Sequence, residues 1–242
     1  MAKFGVVVFP GSNCDHDMLY VLEHVLKQKA VPLWHKETDL QNCDAIVLPG
    51  GFSFGDYLRS GALSRFSPIM NEVTEFSKAG GYVFGVCNGF QVLCEAGLLP
   101  GALLANTSRK FSCKNVYLTA QNDNTALTKS IPKGKVLNVP IAHGEGRFYA
   151  DAATLDGMKK NGQIVFKYCN EKGEITDASN PNGSLENIAG ICNETKNVFG
   201  MMPHPERASE DILANTDGLM IMNSLVSTVM TKRPAFDKSA SL

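Results

Sequence analysis

Short apolar runs alternate with amphipathic stretches through the first half of the chain. The apolar runs have the length of single strands, and the amphipathic stretches repeat apolar residues at helical spacing. Because continuously apolar strands that alternate with helices build parallel sheets covered on both faces, this half predicts an α/β core. The predicted strands are 4–9, 31–34, 44–48 and 81–86, and the predicted helices are 18–27, 69–78 and 88–96.

The middle of the chain, from about 106 to 189, has shorter strand-like pieces separated by turn-rich segments such as Asn180-Pro181-Asn182-Gly183. This pattern predicts antiparallel hairpins added to a mostly parallel sheet that carries helices on both faces. The strand-like pieces are 115–118, 136–141 and 164–168.

The pattern of the core returns near the end, with a buried strand at 197–202 and a helix at 217–230. We therefore expect one domain over 1–230. The remaining stretch, 231–242, has mostly small or polar residues after Arg233-Pro234 and is predicted to be a C-terminal tail.

Composition narrows the classes of partner. Hydrophobic residues make up 44% of the 242 residues, charged residues make up 19%, and the formal net charge is -1. This balance gives no electrostatic reason to expect nucleic acid or an anionic membrane as a partner. No apolar run approaches the ~20 residues that span a bilayer, and the first run is too short for a signal-peptide core. We expect a cytoplasmic protein.

The chain has seven cysteines at irregular spacing and no C-x-x-C pair. This argues against a zinc ribbon or a dithiol redox site, and most of these residues are expected to be free thiols. A functional cysteine therefore has to be identified by its surroundings.

Cys87 has such surroundings. It lies between Gly85 and Gly89, after a predicted buried strand and before a predicted helix. This is the G-x-S-x-G pattern with sulfur in place of oxygen, in which a strained turn excludes a Cβ at both flanking positions. The positive end of the helix dipole favours a thiolate at Cys87, and the N–H of Asn88 points towards a developing oxyanion. The alternative is a packed core cysteine in a glycine-rich turn.

A nucleophilic cysteine needs a base and a group that orients the base. Among five histidines, His204 lies just past a predicted core strand, between Pro203 and Pro205, with Glu206 two residues further on. A carboxylate at that position can select the tautomer of the imidazole. Taken alone, His-Pro-Glu favours a helix start over a catalytic role, and its weight as a catalytic signal comes from the combination with Cys87. A zinc site of Cys87, His204 and Glu206 is also conceivable, but it leaves the two glycines unexplained.

A glycine-rich loop follows the strand that ends at Leu48. The loop, Pro49-Gly50-Gly51-Phe52-Ser53-Phe54-Gly55-Asp56, could place a second N–H opposite that of Asn88, or it is a plain turn. It lacks the G-x-x-x-x-G-K-[ST] spacing of a nucleotide-phosphate loop, and this motif occurs nowhere in the chain.

Together, the Pro-Gly-Gly loop, the elbow at 85–91 and the late His-Pro-Glu resemble the class I (triad) glutamine amidotransferases. The resemblance implies a flavodoxin-like α/β fold without a metal. It assigns the nucleophile to Cys87, the base to His204 and the orienting carboxylate to Glu206. It further implies oxyanion donors from Gly51 and Asn88, and contact with the substrate glutamine through Gln91.

Longer motifs resemble one branch of this family, the glutaminase subunits of phosphoribosylformylglycinamidine synthases. That branch often has cysteine where this chain has Ser60, a difference without an expected catalytic consequence. His143 belongs to a branch motif, and no role follows for it from the sequence. The motifs are 10–15, 50–62, 141–148 and 180–184.

The resemblance implies hydrolysis of glutamine through a Cys87 thioester, with the ammonia passed to a large ATP-dependent synthetase subunit. It also implies that a small accessory subunit completes the complex. ATP and Mg²⁺ are expected on the synthetase, and no cofactor is expected in this chain. Two alternatives stay open, a stand-alone elbow-cysteine hydrolase or glyoxalase-like enzyme and a non-catalytic interaction subunit.

Overall fold

The computed structural model describes residues 1–123 and 125–231. The predicted C-terminal tail, apart from Thr231, lies outside the described residues. Within them, no helix is both long and apolar enough to cross a membrane.

Eleven strands and five α-helices make up the regular structure of the described residues, and a π-helical turn over Val21–Val25 extends the first helix. The strands are β1 (Lys3–Val8), β2 (Lys29–Trp34), β3 (Ala45–Leu48), β4 (Tyr82–Val86), β5 (Ala102–Leu104), β6 (Ser112–Ala120), β7 (Val136–His143), β8 (Arg147–Tyr149), β9 (Ile164–Cys169), β10 (Ile188–Cys192) and β11 (Val198–Met201). The helices are α1 (Asp15–Tyr20), α2 (Pro68–Lys78), α3 (Asn88–Glu95), α4 (Ala152–Lys160) and α5 (Asp217–Thr231).

Nine strands form one sheet in the order β2-β1-β3-β4-β11-β10-β9-β6-β7. The strands from β2 to β11 are parallel, and the strands beyond β11 pair antiparallel with their neighbours. The predicted parallel core and the antiparallel hairpins of the middle region are both confirmed. The hairpin strands continue the main sheet, while β5 and β8 form a separate two-stranded sheet.

The helices cover both faces because the chain changes direction within the sheet. The crossover from β1 through α1 to β2 runs towards one edge, and the crossover from β3 through α2 to β4 runs towards the other. Right-handed crossovers that run in opposite directions place their helices on opposite faces of the sheet.

Two glycines bring α3 close to the centre of the sheet. Gly85 of β4 and Gly200 of β11 are paired in the parallel register. A Cβ at Gly85 would approach the side chain of Leu93 to 2.6 Å, and a Cβ at Gly200 would collide with the ring of Phe90. The absence of both Cβ atoms therefore lets α3 lie against the carboxyl ends of β4 and β11, where parallel sheets place their sites.

Four elements lie outside the predicted pattern: β5, β8, α4 and β10. Strands β5 and β8 have three residues each, too few to show a period. The helix predicted over 18–27 begins earlier, at Asp15, and changes to the π-helical turn at Val21.

Candidate active site

Cys87 occupies the sharp turn between β4 and α3. Its backbone has φ 49° and ψ −105°, a conformation that L residues rarely adopt. The turn is held on both sides, since the Cys87 N–H donates to the carbonyl of Met201 at 2.8 Å and the Cys87 carbonyl accepts from the N–H of Gln91 at 3.1 Å. Strain of this kind persists only where the surrounding structure enforces it, and it is typical of functional sites.

The glycines that flank Cys87 are required by sterics, as predicted. A Cβ at Gly89 would collide with the carbonyl oxygen of Leu48 at the end of β3. A Cβ at Gly85 would lie 2.7 Å from the backbone of Gly89 itself. The turn is therefore compressed between two strands and a helix, which places the thiol at the N-terminus of α3.

His204 and Glu206 follow β11, the strand next to β4. The His204 N–H donates to the carbonyl of Pro140 at 2.8 Å, which fixes the backbone of this connection against β7. Pro205 starts a 3₁₀ turn over Pro205–Ala208 that brings the Glu206 carboxylate back to the imidazole. Nδ1 of His204 lies 2.7 Å from Oε1 of Glu206, with the two residues 1% and 2% exposed.

The surroundings of His204 act on its pKa in opposite directions. Burial alone would lower the pKa of His204, but the Glu206 carboxylate and the Cys87 thiol together hold it well above 6.5. Because Nδ1 donates to Glu206, Nε2 is the nitrogen that remains for proton exchange, and it has no hydrogen-bond partner within the described residues. His204 thus interacts with both Glu206 and Cys87, so the structure brings together the three residues predicted as a triad.

Cys14 and Arg207 adjoin this group and were not predicted. Nη2 of Arg207 donates to Sγ of Cys14 at 3.1 Å, while its Nε donates to Asp17 at 3.0 Å. One potential metal-ligand atom from each of Cys14, His204 and Glu206 lies within 4.8 Å of the other two. This group contains Cys14, whereas the zinc site considered from the sequence contained Cys87. The guanidinium already supplies positive charge there, which opposes the binding of a second cation.

The glycine-rich loop lies beside the elbow. Gly51 has φ +138°, and a Cβ there would approach the N–H nitrogen of Asn13 to 2.6 Å. Asn88 is the first residue of α3, where backbone N–H groups have no intrahelical acceptor. Its side chain ties the two segments together, since Oδ1 accepts from the N–H of Ser53 at 3.3 Å and Nδ2 donates to Gln91 at 3.0 Å.

A cavity of about 230 Å³ opens in front of Cys87. Gln91 lines it, but both ends of its side-chain amide are engaged within the protein, with Nε2 donating to the carbonyl of Glu145 at 2.6 Å. Phe52 and Phe111 stack at its mouth with ring centroids 6.2 Å apart. The lining residues are Gly51, Phe52, Asp56, Ser60, Cys87, Gln91, Phe111, Ala142, His143, Gly144 and Glu145.

His143 lies in the wall of this cavity, at the end of β7. Its Nδ1 is 3.2 Å from Oδ1 of Asn106, and a Cβ at Gly146 would collide with its ring. Burial lowers the pKa of His143 to about 4, and the neighbouring His204 contributes to the decrease. His143 is therefore neutral at physiological pH, and its Nε2 has no partner among the described residues.

Asn106 organises the segment that carries His143, although nothing in the sequence marked it. The residue is fully buried. Its Nδ2 donates to the carbonyls of Lys110 and His143, both at 2.9 Å, and its Oδ1 accepts from the N–H of Gly146 at 3.1 Å.

Two of the long motifs that carried the resemblance, 50–62 and 141–148, line this cavity, and the other two contact them. The turn after β1 contacts the glycine-rich loop, where the Phe52 N–H donates to the carbonyl of Gly11 at 2.9 Å. From the 180–184 motif, Nδ2 of Asn182 donates to the carbonyl of Gly146 at 2.8 Å. These segments are distant in sequence, and they pack against the loops that line the cavity in front of Cys87 or lie next to it.

Comparison with known proteins agrees with this geometry. Residues 1–221 match the family described as CobB/CobQ-like glutamine amidotransferase domain. The chain is 57% identical to phosphoribosylformylglycinamidine synthase subunit PurQ of Koribacter versatilis, over 96% of this chain and 100% of that protein. It is 54% identical to the subunit of the same name from Aquifex aeolicus, over 93% and 99% of the two chains.

Solved structures show the same architecture. A chain in the structure of PurLQS from Thermotoga maritima superposes with a TM-score of 0.83 at 40% identity, covering 95% of this chain and 100% of that one. The glutaminase domain of Trypanosoma brucei CTPS superposes with a TM-score of 0.61 at 15% identity, covering 94% of each chain, and shows the shared fold alone.

Proposed function

The chain belongs to the family of CobB/CobQ-like glutamine amidotransferase domains, and on that premise we propose that it is the glutaminase subunit of phosphoribosylformylglycinamidine synthase. The observation that carries the proposal is the position of Cys87, strained at the start of α3 beside the buried His204–Glu206 pair and open to a small cavity.

In the first step, the Cys87 thiolate attacks the side-chain amide carbon of glutamine. The imidazolium form of His204, which the Glu206 carboxylate stabilises, pairs with the thiolate before attack. As the tetrahedral intermediate collapses, the C–N bond breaks and His204 gives its proton to the departing nitrogen. Ammonia leaves, and a γ-glutamyl thioester remains on Cys87.

The negative charge of the tetrahedral oxygen needs fixed donors. We assign this role to the backbone N–H groups of Gly51 and Asn88, which belong to segments joined by the side chain of Asn88. The loss of one such donor typically costs about 10²–10³ in rate. Gln91 holds the wall of the cavity through its bonds to Asn88 and Glu145, and we assign it a place in the glutamine site.

In the second step, neutral His204 accepts a proton from water as the water attacks the thioester. The C–S bond breaks, glutamate leaves, and the thiolate–imidazolium pair is restored. The buried Glu206 keeps the imidazole in one orientation through both steps.

The ammonia is consumed by a partner. The relatives are named as subunits of phosphoribosylformylglycinamidine synthase, and the PurLQS structure contains a chain of this fold. We propose that a large synthetase subunit, which holds ATP and Mg²⁺, uses the ammonia to convert formylglycinamide ribonucleotide to formylglycinamidine ribonucleotide, and that a small accessory subunit completes the complex. No cofactor of this chain's own enters the proposed steps.

We also propose a cytoplasmic location. All seven cysteines are free thiols in the structure, which agrees with a reducing compartment. The relatives do not favour a stand-alone hydrolase or glyoxalase-like enzyme, because they are named as subunits of phosphoribosylformylglycinamidine synthase.

Reconstitution of this chain with the synthetase subunit and the small accessory subunit tests the proposal. The Cys87→Ala variant should lose glutamine-dependent synthesis and keep ammonia-dependent synthesis, while Cys113→Ala, at an exposed thiol, should keep both. Glutamine-dependent synthesis by the Cys87→Ala complex would contradict it.

A further inference from the structure

Cys14, a second cysteine that the proposed steps do not use, lies against the His204–Glu206 pair. It immediately precedes α1 and is 4% exposed. Its N–H donates to the carbonyl of Gly50 at 3.3 Å, and its carbonyl accepts from the N–H of Met18 at 3.2 Å. The backbone of Cys14 is therefore fixed between the glycine-rich loop and α1.

The absence of a side chain at Gly50 lets the Cys14 thiol approach the imidazole. A Cβ at Gly50 would lie 2.6 Å from Cε1 of His204 and 3.2 Å from Sγ of Cys14. Sγ of Cys14 lies within 4.8 Å of a ring nitrogen of His204 and of a carboxylate oxygen of Glu206. Cys14 thus adjoins both members of the buried pair.

The Arg207 guanidinium is placed where it could disturb this pair. Burial opposes the charge of Arg207, and the neighbouring Cys14 and Glu206 both raise its pKa. Oε2 of Glu206 is buried and has no hydrogen-bond partner within the described residues. A guanidinium beside a carboxylate with a free oxygen commonly forms an ion pair with two parallel hydrogen bonds. Such a pair would draw the charge of Glu206 away from His204.

An ion pair of that kind occurs elsewhere in the chain. Arg59 donates through Nε and Nη2 to the two carboxylate oxygens of Glu95, both at 2.6 Å. This edge of a guanidinium is therefore the one that a carboxylate in reach would take.

In Arg207, the same edge is divided between two other acceptors. Nη2 donates to Sγ of Cys14 at 3.1 Å, and Nε donates to Oδ2 of Asp17 at 3.0 Å. Both acceptors belong to the start of the first helix, so α1 holds the guanidinium from outside the His204–Glu206 pair.

We propose that Cys14 is a positioning residue of the triad, whose thiol, together with Asp17, occupies Arg207 and thereby leaves the Glu206 carboxylate to His204. This inference rests on the proposed glutaminase function, because the triad it supports is the one that the proposed steps use. It deepens that function by naming what keeps the orienting carboxylate free of a competing cation.

The charged and titratable groups that face His204 come from every element packed around it. Burial lowers the pKa of His204, and Cys14 adds to the rise that Glu206 brings about. His143, on β7, is held neutral because burial lowers its pKa to about 4. The groups are Glu206 and Arg207 on the same connection, Cys87 at the start of α3, Cys14 and Asp17 from α1, and His143.

Alkylation of Cys87 by iodoacetamide in the full-length chain tests the proposal. The labelling rate is measured from mildly acidic to mildly alkaline pH by mass spectrometry of the Cys87 peptide, with the exposed Cys113 as the reference thiol in the same sample. The dependence on pH gives a midpoint and a plateau at high pH. The midpoint reports the thiolate–imidazolium pair, and the plateau reports access to the thiol.

The variants separate the charge of the guanidinium from the packing of the thiol. They are Cys14→Ala, Asp17→Asn and the double variant Cys14→Ala with Arg207→Met. Asp17 is a second way to release Arg207, because its side chain is 47% exposed and its loss leaves the core intact. Cys192→Ala is the matched control, since Cys192 is a buried thiol that pairs with Phe199, away from the end of β11 that leads to His204.

In Cys14→Ala, the released guanidinium should pair with Glu206 and weaken its support of the imidazolium. We expect the midpoint for Cys87 to rise by about one pH unit, which slows labelling about tenfold on the acid side of the midpoint. The plateau should not change. Asp17→Asn should shift the midpoint in the same direction by a smaller amount, and Cys192→Ala should leave it unchanged.

Removal of the guanidinium should correct the defect. In the double variant, no cation competes for Glu206, so labelling on the acid side should return at least to the wild-type rate. A merely structural role for the thiol predicts the opposite, because the cavity left by Cys14→Ala stays in the double variant.

A wild-type midpoint in Cys14→Ala would overturn the role of Cys14, and so would a double variant as slow as Cys14→Ala. Both results leave the glutaminase proposal standing. If Cys87 of the wild type is labelled no faster than Cys113 on the acid side, no thiolate–imidazolium pair forms. The proposed glutaminase steps are then wrong, and the role of Cys14 fails with them.

Discussion

Oε1 of Glu206 lies 2.7 Å from Nδ1 of His204, and the two residues are almost completely buried. Burial alone would leave the imidazole neutral, and the carboxylate together with the Cys87 thiol reverses that preference by raising the pKa of His204. The contact therefore does two things at once. It fixes the proton on Nδ1, and it stabilises the charged imidazolium that the thiolate requires.

Replacing Glu206 by Gln keeps the shape of the contact and removes its charge. The pKa of His204 should fall, because burial then acts with less opposition. We expect kcat/KM for ammonia release from glutamine to fall by about 10²–10⁴, the usual contribution of an acid–base group. Asp211→Asn, at an exposed carboxylate on the same connection, is the control. Full activity in Glu206→Gln would exclude this role for Glu206.

The glycine at position 89 should be intolerant of even one methyl group. In Gly89→Ala, the new Cβ collides with the carbonyl of Leu48, so either β3 or α3 must shift. Overpacking of this kind costs about 1–3 kcal/mol or more. Gly157→Ala in α4 meets nothing within 4 Å and should stabilise the protein by about 0.5–1 kcal/mol. Urea unfolding measures the free energy of unfolding of both variants. A Gly89→Ala variant as stable as the wild type would refute the steric account of the elbow.

His143 should make stability depend on pH. Its pKa is about 4 in the folded protein and 6.5 when exposed, so the unfolded chain binds the proton more readily. Stability is therefore lost as pH falls below about 6.5. Between about pH 7.5 and pH 5, the wild type should lose about 2 kcal/mol more than His143→Gln. If the two proteins lost the same free energy of unfolding between these pH values, the lowered pKa of His143 would be contradicted.

Asn106 should matter for both stability and activity without touching the nucleophile. Asn106→Ala removes four hydrogen bonds, to Lys110, His143 and Gly146, which should cost about 2–4 kcal/mol. The segment that lines the cavity then loses its anchor, so kcat/KM for glutamine should fall while iodoacetamide still alkylates Cys87. Asn71→Ala, at an exposed position of α2, is the matched control. Unchanged glutaminase activity in Asn106→Ala would show that the segment holds itself in place.

The parts of this protein that follow from local pattern were predictable. Buried parallel strands are continuously apolar, so β1, β3 and β4 stand out in the sequence. The elbow stands out because its steric limits act between near neighbours, as between Gly85 and Gly89. These local signals identified the candidate nucleophile Cys87 and predicted the half of the sheet that presents it.

The rest depends on contacts between distant residues, which leave no periodic trace. Asn106 and His143 are 37 positions apart, and Cys14 and Arg207 are 193 apart. Asp56 and Glu145 each lie in a recognisable motif, but their shared cavity appears only once the loops are placed. The fold and the candidate nucleophile could therefore be predicted from the sequence, whereas the walls of the cavity required the structure.

The central claim is that Cys87 carries the glutamyl group during turnover. The direct measurement is mass spectrometry of the full-length chain in its complex, quenched with acid during glutamine hydrolysis and digested. We expect a glutamyl adduct on the peptide that contains Cys87. The corresponding peptide of the Cys87→Ala variant should carry no adduct. Hydroxylamine, which cleaves thioesters, should remove the adduct from the wild-type peptide. Glutamine hydrolysis at the wild-type rate by Cys87→Ala, with no adduct on any peptide, would contradict the account.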